Sequence, residues 1–365
     1  GKYKADKQLR GDYLAYLSDT PRVNLIRYHY KHREDMFDRH SYQKGGRVLH
    51  MLRNIVGDDA FFASLKLYLH NRAFKNAEVH DLRMAFEEVT GQDLNWFFNQ
   101  WFLDKGHPIL NVNWEHLGDS LVLNVDQVQS ANQPTFKFPV DVDIYFGDKV
   151  ESKKLWITKR TESFVFQGLG GAEAVNFDSK KVLLIELNQS LTPEEAFVLF
   201  KESDDYGTKL ESMIQVKGDT SITSWELMNL AAKDKFNSFR KLSVYFSTPF
   251  DEGKTEEHKA FLFDMFDKDP SSDVRVATIN STQSTWPGDS SLITFYKKSL
   301  NDSSINVKLT ALDVINEIAR EDALLRAYEL EKETDSRVIR QLASMYIGVR
   351  DESKIKWYNW AMKQV

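Results

Sequence analysis

The spacing of apolar residues changes twice along this chain, from a helical period to an alternating one and back. From residue 1 to about 107 the pattern is helical. Val48, Leu49, Met51, Leu52 and Ile55 recur on one face, and Gly57-Asp58 stops that helix and caps the next. Phe61, Phe62, Leu65, Leu67, Tyr68 and Leu69 mark a second apolar face. Val79, Leu82, Met84, Phe86 and Val89 mark a third, with Asn76 as its expected cap and Gly91 just past its end. The aromatic group Trp96, Phe97, Phe98, Trp101 and Phe102 reads as core, and "DKGHP" breaks the run.

Between about 108 and 190 the period falls to two. Phe136, Phe138, Val140, Val142, Ile144 and Phe146 alternate with Lys137, Pro139, Asp141, Asp143 and Tyr145, the pattern of a half-buried antiparallel strand. "SLVLNV", "KLWIT", "SFVFQ" and "KVLLIEL" are shorter strands of the same kind, with Gly118-Asp119, Gly147-Asp148 and "GLGG" at 168–171 as turns. A small β-sandwich follows from this pattern. Helix resumes at "SLTPEEAF", where Thr192 is placed as N-cap and Pro193 as the first helical residue. Three later stretches, "DPSSDVRVATI", "NDSSINVKLTAL" and "TDSRVIRQLA", share an apolar-plus-basic pair at Val274-Arg275, Val307-Lys308 and Ile339-Arg340. Their spacing of about 33 residues predicts a HEAT-like array of helix pairs. The expected class is therefore multidomain α+β: a helical region at 1–107, a β-sandwich at 108–190 and a helical repeat region at 191–365.

Composition narrows the chemistry. The net charge of −6 is mild and spread over both signs, with no basic stripe to follow a phosphate backbone, so nucleic acid is disfavoured. The absence of cysteine removes disulfides, thiolate metal sites and cysteine nucleophiles, but leaves the compartment open, periplasm and cytoplasm alike. No apolar run approaches the roughly 20 residues of a membrane span. The opening "GKYKADKQLRGDYLAYL" is unlike a signal peptide; it reads as mid-helix, with no cap and a lone leading Gly1, as expected of a piece of a longer chain. There is no H-E-x-x-H, phosphate loop or nucleophile elbow. His29 and His32 are three apart but lie on no helical stripe and have no matching carboxylate, so they read as solvent-facing or hydrogen-bonded. Glu87-Glu88 and Asp204-Asp205 read as solvated helix faces.

One stretch resists a purely structural account. In "RHSYQKGGRVLHML", Tyr42 opens a helix and is followed by Gly45 and Gly46, although an interior glycine costs about 1 kcal/mol relative to alanine. The segment "SYQKGGRVLHMLRNIVGDDAFFASLKLYL", followed by "FKNAEVHDLRMAFEEVTGQDLNWFFNQWFLDKGHPILNV", resembles the late catalytic domain of aminopeptidase N-like zinc metallopeptidases. The shared features are a Tyr-x-Lys-Gly helix start, a closing glycine, a W-F-x-Q-W element and a Gly-x-Pro entry into a β-sandwich. The likeness continues through "FDSKKVLLIELNQSLTPEEAFVLF" into the helical repeats, which in that family cap the active-site cavity.

The resemblance implies that Tyr42 points its hydroxyl at the scissile carbonyl and stabilises the oxyanion, worth about 3–4 kcal/mol for a preorganised donor. It implies that the glycines allow close approach of backbone or substrate. It also implies a zinc-dependent parent acting on peptides. The metal-binding H-E-x-x-H, the further glutamate and the G-x-M-E-N-type loop of the family do not occur here. The chain is thus expected to start just downstream of the metal site, to hold no metal ligand or cofactor of its own, to need the missing N-terminal catalytic portion as its partner, and to be inactive alone. The alternatives are a non-catalytic scaffold that binds protein partners through the same architecture, and an unrelated helix–sandwich–helix protein.

Overall fold

The structure, a computed structural model, describes residues 11–15, 23–249, 252–347, 349 and 351–364. Of the expected N-terminal helix, residues 11–15 are described and helical, and the rest lies outside the described residues. The chain divides once into compact units, Gly1–Val216 and Lys217–Val365.

In the first unit, α1 (Gly45–Val56), α2 (Asp58–Asn71) and α3 (Val79–Thr90) are followed by the short α4 (Asn95–Phe98) and a π-turn at Asn99–Leu103. Gly57, at φ 85°, separates α1 from α2, and Gly91, at φ 66°, ends α3. The cap of α3 is Glu78 rather than Asn76: Asp81 accepts from the Glu78 N–H in a capping box, which outcompetes a cap two residues earlier. The inward faces are narrower than the sequence pattern suggests. Phe61 and Phe86 are buried, whereas Phe62, Leu69, Met84 and Val89 are exposed. Phe97, Phe98, Trp101 and Phe102 are core, as their spacing indicates.

Two sheets follow. One has the order β5-β2-β1-β7, from β1 (Ile109–Leu117), β2 (Ser120–Gln127), β5 (Thr161–Gln167) and β7 (Glu186–Asn188). The other has the order β4-β3-β6, from β3 (Phe138–Phe146), β4 (Lys149–Ile157) and β6 (Ala174–Phe177). All pairings are antiparallel except β1–β7. Leu110, Val112, Leu121, Leu123 and Val125 of one sheet share a core with Phe138, Val140, Val142, Ile144 and Phe177 of the other, and that core continues into Val48, Met51 and Leu52 of α1. The sheets and the preceding helices are therefore built on a single buried cluster.

"KVLLIEL" departs from its expected form. Only Glu186–Asn188 forms a strand; Val182–Ile185 is buried without a ladder. Side chains satisfy its backbone instead. Asp178 accepts from the N–H groups of Val182 (3.0 Å) and Leu183 (3.1 Å), and Arg47 donates to the carbonyls of Lys181 (3.0 Å) and Val182 (2.7 Å). The helices α5 (Pro193–Glu202) and α6 (Tyr206–Gln215) complete this unit. Thr192 caps α5 in a capping box with Glu195, and Asp205, read from sequence as a solvated carboxylate, instead caps α6 by accepting from the Thr208 N–H at 2.8 Å.

The second unit is helical: α7 (Ile222–Ala231), α8 (Asn237–Phe246), α9 (Thr255–Lys268), α10 (Ser272–Thr285), α11 (Ile293–Ser299), α12 (Ile305–Ile318), α13 (Arg320–Glu329), α14 (Ser336–Met345) and α15 (Glu352–Ala361). Alternate helices α8, α10, α12 and α14 touch in succession. An aspartate precedes each of them, at Asp234, Asp269, Asp302 and Asp335, and accepts from the N–H two residues on at 2.7–2.8 Å. Arg240 donates through Nε and Nη2 to Asp269 (2.7 and 3.1 Å), and Arg275 does the same to Asp302 (2.7 and 2.9 Å). Each arginine also holds the carbonyl of the aspartate before its own helix. The basic member of the repeat is thus the sixth residue after the aspartate, Arg240, Arg275 and Lys308. Ile339-Arg340 is one residue out of that register, and Gln341 occupies the position, donating to the Leu309 carbonyl at 2.7 Å.

Candidate functional site

Tyr42 lies in a π-turn, His40–Lys44, that runs directly into α1. Such a one-residue widening of a helix recurs at functional positions. The turn is held from both ends. Asp38 takes the Arg27 guanidinium through both oxygens (2.7 and 3.1 Å) and accepts from the Ser41 N–H at 2.9 Å. Burial alone would raise the Asp38 carboxyl, but Arg27 and Ser41 outweigh it and keep it below the ordinary range, hence anionic. His40 is buried with Nδ1 3.3 Å from Asp38, and Tyr13 meets its ring edge-on at 5.5 Å. Burial lowers the His40 imidazole, with Asp38 offsetting it only in part, so the ring is neutral near pH 7.

Between these anchors Tyr42 faces outward. It is 60% exposed, its ring lies 6.3 Å from that of Phe37, and its hydroxyl has no hydrogen-bond partner among the described residues. Two residues on, Lys44 is the opposite: fully buried, with Nζ bonded to no group among the described residues. Burial pulls its ammonium down to about 8, with Asp104 acting weakly the other way. Nothing in the sequence marks Lys44, because a lysine in a polar stretch gives no sign that it is enclosed.

The two glycines differ from their expected role. A Cβ at Gly45 would meet Leu25 Cδ1 at 3.6 Å, an ordinary contact, and one at Gly46 would meet nothing within 4 Å. Neither is required by close packing among the described residues; Gly46 leaves open surface one turn beyond Tyr42. Arg47, one residue later, is buried and fixes α1 to the Lys181–Leu183 carbonyls. Part of the support of α1 therefore comes from a segment 134 residues away, which no local pattern announces.

His29 and His32 are exposed, and Asp35 accepts from the His32 N–H at 3.1 Å. They join no metal cluster: among the described residues, no group of three or more His, Cys, Asp or Glu is placed to hold a metal ion. No helix among the described residues is long and apolar enough to cross a membrane.

Residues 5–101 match the Peptidase family M1 domain. Aminopeptidase M1 of Arabidopsis thaliana is 23% identical over 228 residues, covering 61% of this chain and 25% of its own length. Aminopeptidase N of Lactococcus lactis subsp. lactis is 36% identical over 86 residues, covering 24% of this chain and 10% of its own length. The chain thus spans a quarter or less of the length of these curated relatives. Among solved structures, aminopeptidase A of Legionella pneumophila in complex with aspartic acid superposes with a TM-score of 0.61 over 92% of this chain and 46% of that one, at 13% identity, a likeness of fold. The Tyr-x-Lys-Gly helix start and the W-F-x-Q-W element lie in or at the edge of the stretch that matches the Peptidase family M1 domain, and the mixed α+β architecture is similar to that of the solved aminopeptidase.

Proposed function

We propose that this chain is the C-terminal portion of a zinc-dependent aminopeptidase that removes N-terminal residues from peptides, and that Tyr42 is its oxyanion donor. In this reading residues 1–107 complete the catalytic domain, 108–190 form the sandwich and 191–365 the helical repeats. The observation that carries it is the Tyr42 hydroxyl: exposed and unbonded, on a turn whose start is anchored by the bonds of Asp38 to Arg27 and to the Ser41 N–H. A phenol on a backbone anchored this way offers a hydroxyl donor where negative charge develops on a carbonyl oxygen. The open surface at Gly46 leaves room for substrate backbone beside it.

The described residues do not fit a zinc ion, so no step through the metal is assigned to them. The reading places the ligands in a preceding segment and makes the present chain inactive as a peptidase alone. The test is Tyr42→Phe in the full-length parent, with aminoacyl-amide hydrolysis and zinc content followed together. A fall in kcat of roughly a hundredfold or more with zinc retained supports the donor role. An unchanged kcat makes Tyr42 a packing residue, and a zinc-free, inactive parent moves the reading to a scaffold that binds protein partners.

A further inference from the structure

The sheet that carries β1 has a half-open edge. On one side β1 pairs with β2 from Leu110 to Leu117. On the other it pairs with β7 only from Ile109 to Asn111, because the chain turns away after Asn188 toward the cap of α5. Strand parity shows which backbone groups are left. Ile109 O accepts from Val128 N, on the β2 side, while Pro108 O accepts from Glu186 N, on the β7 side. Odd-numbered residues of β1 therefore face β2 and even-numbered ones face β7. Beyond the end of β7, the N–H and C=O groups of Trp114 and His116 face a side with no strand among the described residues.

A groove of about 880 Å³ runs along that side. Its walls include Trp114, Glu115, His116, Glu173 and Glu195, with amides such as Asn188 and Gln189, and no lysine or arginine. Glu195 is committed, accepting from Trp114 Nε1 at 2.7 Å and from the Thr192 N–H at 2.6 Å, which holds the indole in place as one wall. Glu115 and Glu173 are exposed. From Val112 to Leu117 the open edge runs roughly 15–20 Å, room for about five extended residues.

We propose that this edge binds an extended, basic peptide segment by strand addition. The segment pairs with the backbone of Trp114 and His116, and its cationic side chains lie against Glu115 and Glu173. Main-chain pairing supplies affinity and the carboxylates choose the sign of charge. Of possible occupants, an acidic strand is repelled by three carboxylates in one groove, and an apolar one gains nothing from them.

The test uses the purified chain and a short fluorescein-labelled peptide of alternating Lys and Val, read by anisotropy, with hydrogen exchange mapped on β1. Saturable binding that slows exchange of the Trp114 and His116 amides supports the proposal. So does a loss of roughly tenfold or more on N-methylating alternate peptide residues, which removes main-chain pairing and leaves the side chains. Glu115→Gln with Glu173→Gln is expected to weaken binding severalfold while circular dichroism stays native. The proposal is overturned if no saturable binding occurs, if both N-methylated registers bind as well as the parent peptide, if an alternating Glu and Val peptide binds equally, or if protection maps away from β1.

Discussion

Replacing Lys44 with methionine should make the protein more stable. The ammonium of Lys44 is fully buried and has no hydrogen-bond partner among the described residues, and burial lowers it from 10.5 to about 8. The difference of about 2.5 pH units corresponds to about 3 kcal/mol at 1.36 kcal/mol per unit. The sign follows from proton binding. Between pH 8 and 10.5 the unfolded chain holds this proton and the folded chain does not, so the wild type gains stability as pH rises through that window. Above it the penalty is gone; below pH 8 it is fully present. Methionine keeps the length and most of the volume of the buried stem without the charge. Lys44→Met is therefore expected to gain up to about 3 kcal/mol at pH 7 and almost nothing at pH 10.5. Urea unfolding at both pH values, with hydrogen exchange on α1 to isolate the first unit, measures this. A variant that is less stable at pH 7, or one whose stability climbs with pH as the wild type's does, would refute it, because either result means that the ammonium finds a partner in solution. Stability given up at a buried charge two residues from an exposed phenol is the kind of local inconsistency that marks functional sites.

Two further outcomes concern the helical unit. Arg275→Met removes both bonds to Asp302 and the one to the Asp269 carbonyl, leaving a mostly buried carboxylate with the Ser304 N–H; the loss should be about 3 kcal/mol in urea unfolding, and Arg275→Met with Asp302→Asn should cost less than the sum of the two single changes. His258 is buried against Trp225 and Trp286 with Nε2 3.0 Å from Ser247 Oγ, and burial takes its imidazole down to about 4. The unfolded ring binds its proton near 6.5, so up to about 3 kcal/mol is lost as pH falls from 6.5 to 4; a His258→Gln protein with the same acid slope would rule that cause out.

What could be seen from sequence and what could not divides along chain distance. Gly57 and Gly91 end helices because their positive φ suits glycine, and Thr192, Pro193 and Glu195 start one by chemistry within four residues. The alternation through Val140, Val142 and Ile144 locates a strand for the same local reason. The repeat spacing was visible, but its apolar-plus-basic marker is less regular than the aspartate, because Asp234, Asp269, Asp302 and Asp335 all make the same turn whereas the basic position is Arg, Arg, Lys and then Gln. Tyr42 could be singled out from its neighbours in sequence. Its exposure could not, since that depends on a π-turn fixed by Arg27 and Asp38.

The failure at "KVLLIEL" has the same origin and bears on the site. Residues 182–185, of strand-forming composition, are held without a ladder because Arg47 supplies donors and Asp178 supplies acceptors. Asp178 can serve two successive N–H groups because it and Lys181 both adopt positive φ, 51° and 52°, which curls the chain back over the carboxylate. The carbonyls thereby freed for Arg47 are what hold α1 three residues beyond Lys44. The helix that follows the Tyr42 turn is thus tied to the 181–183 carbonyls by a single guanidinium, and both share one buried cluster with the sheets. A perturbation of the 178–183 loop should accordingly be felt at Tyr42 before it is felt in the sheets, whose ladders do not depend on Arg47.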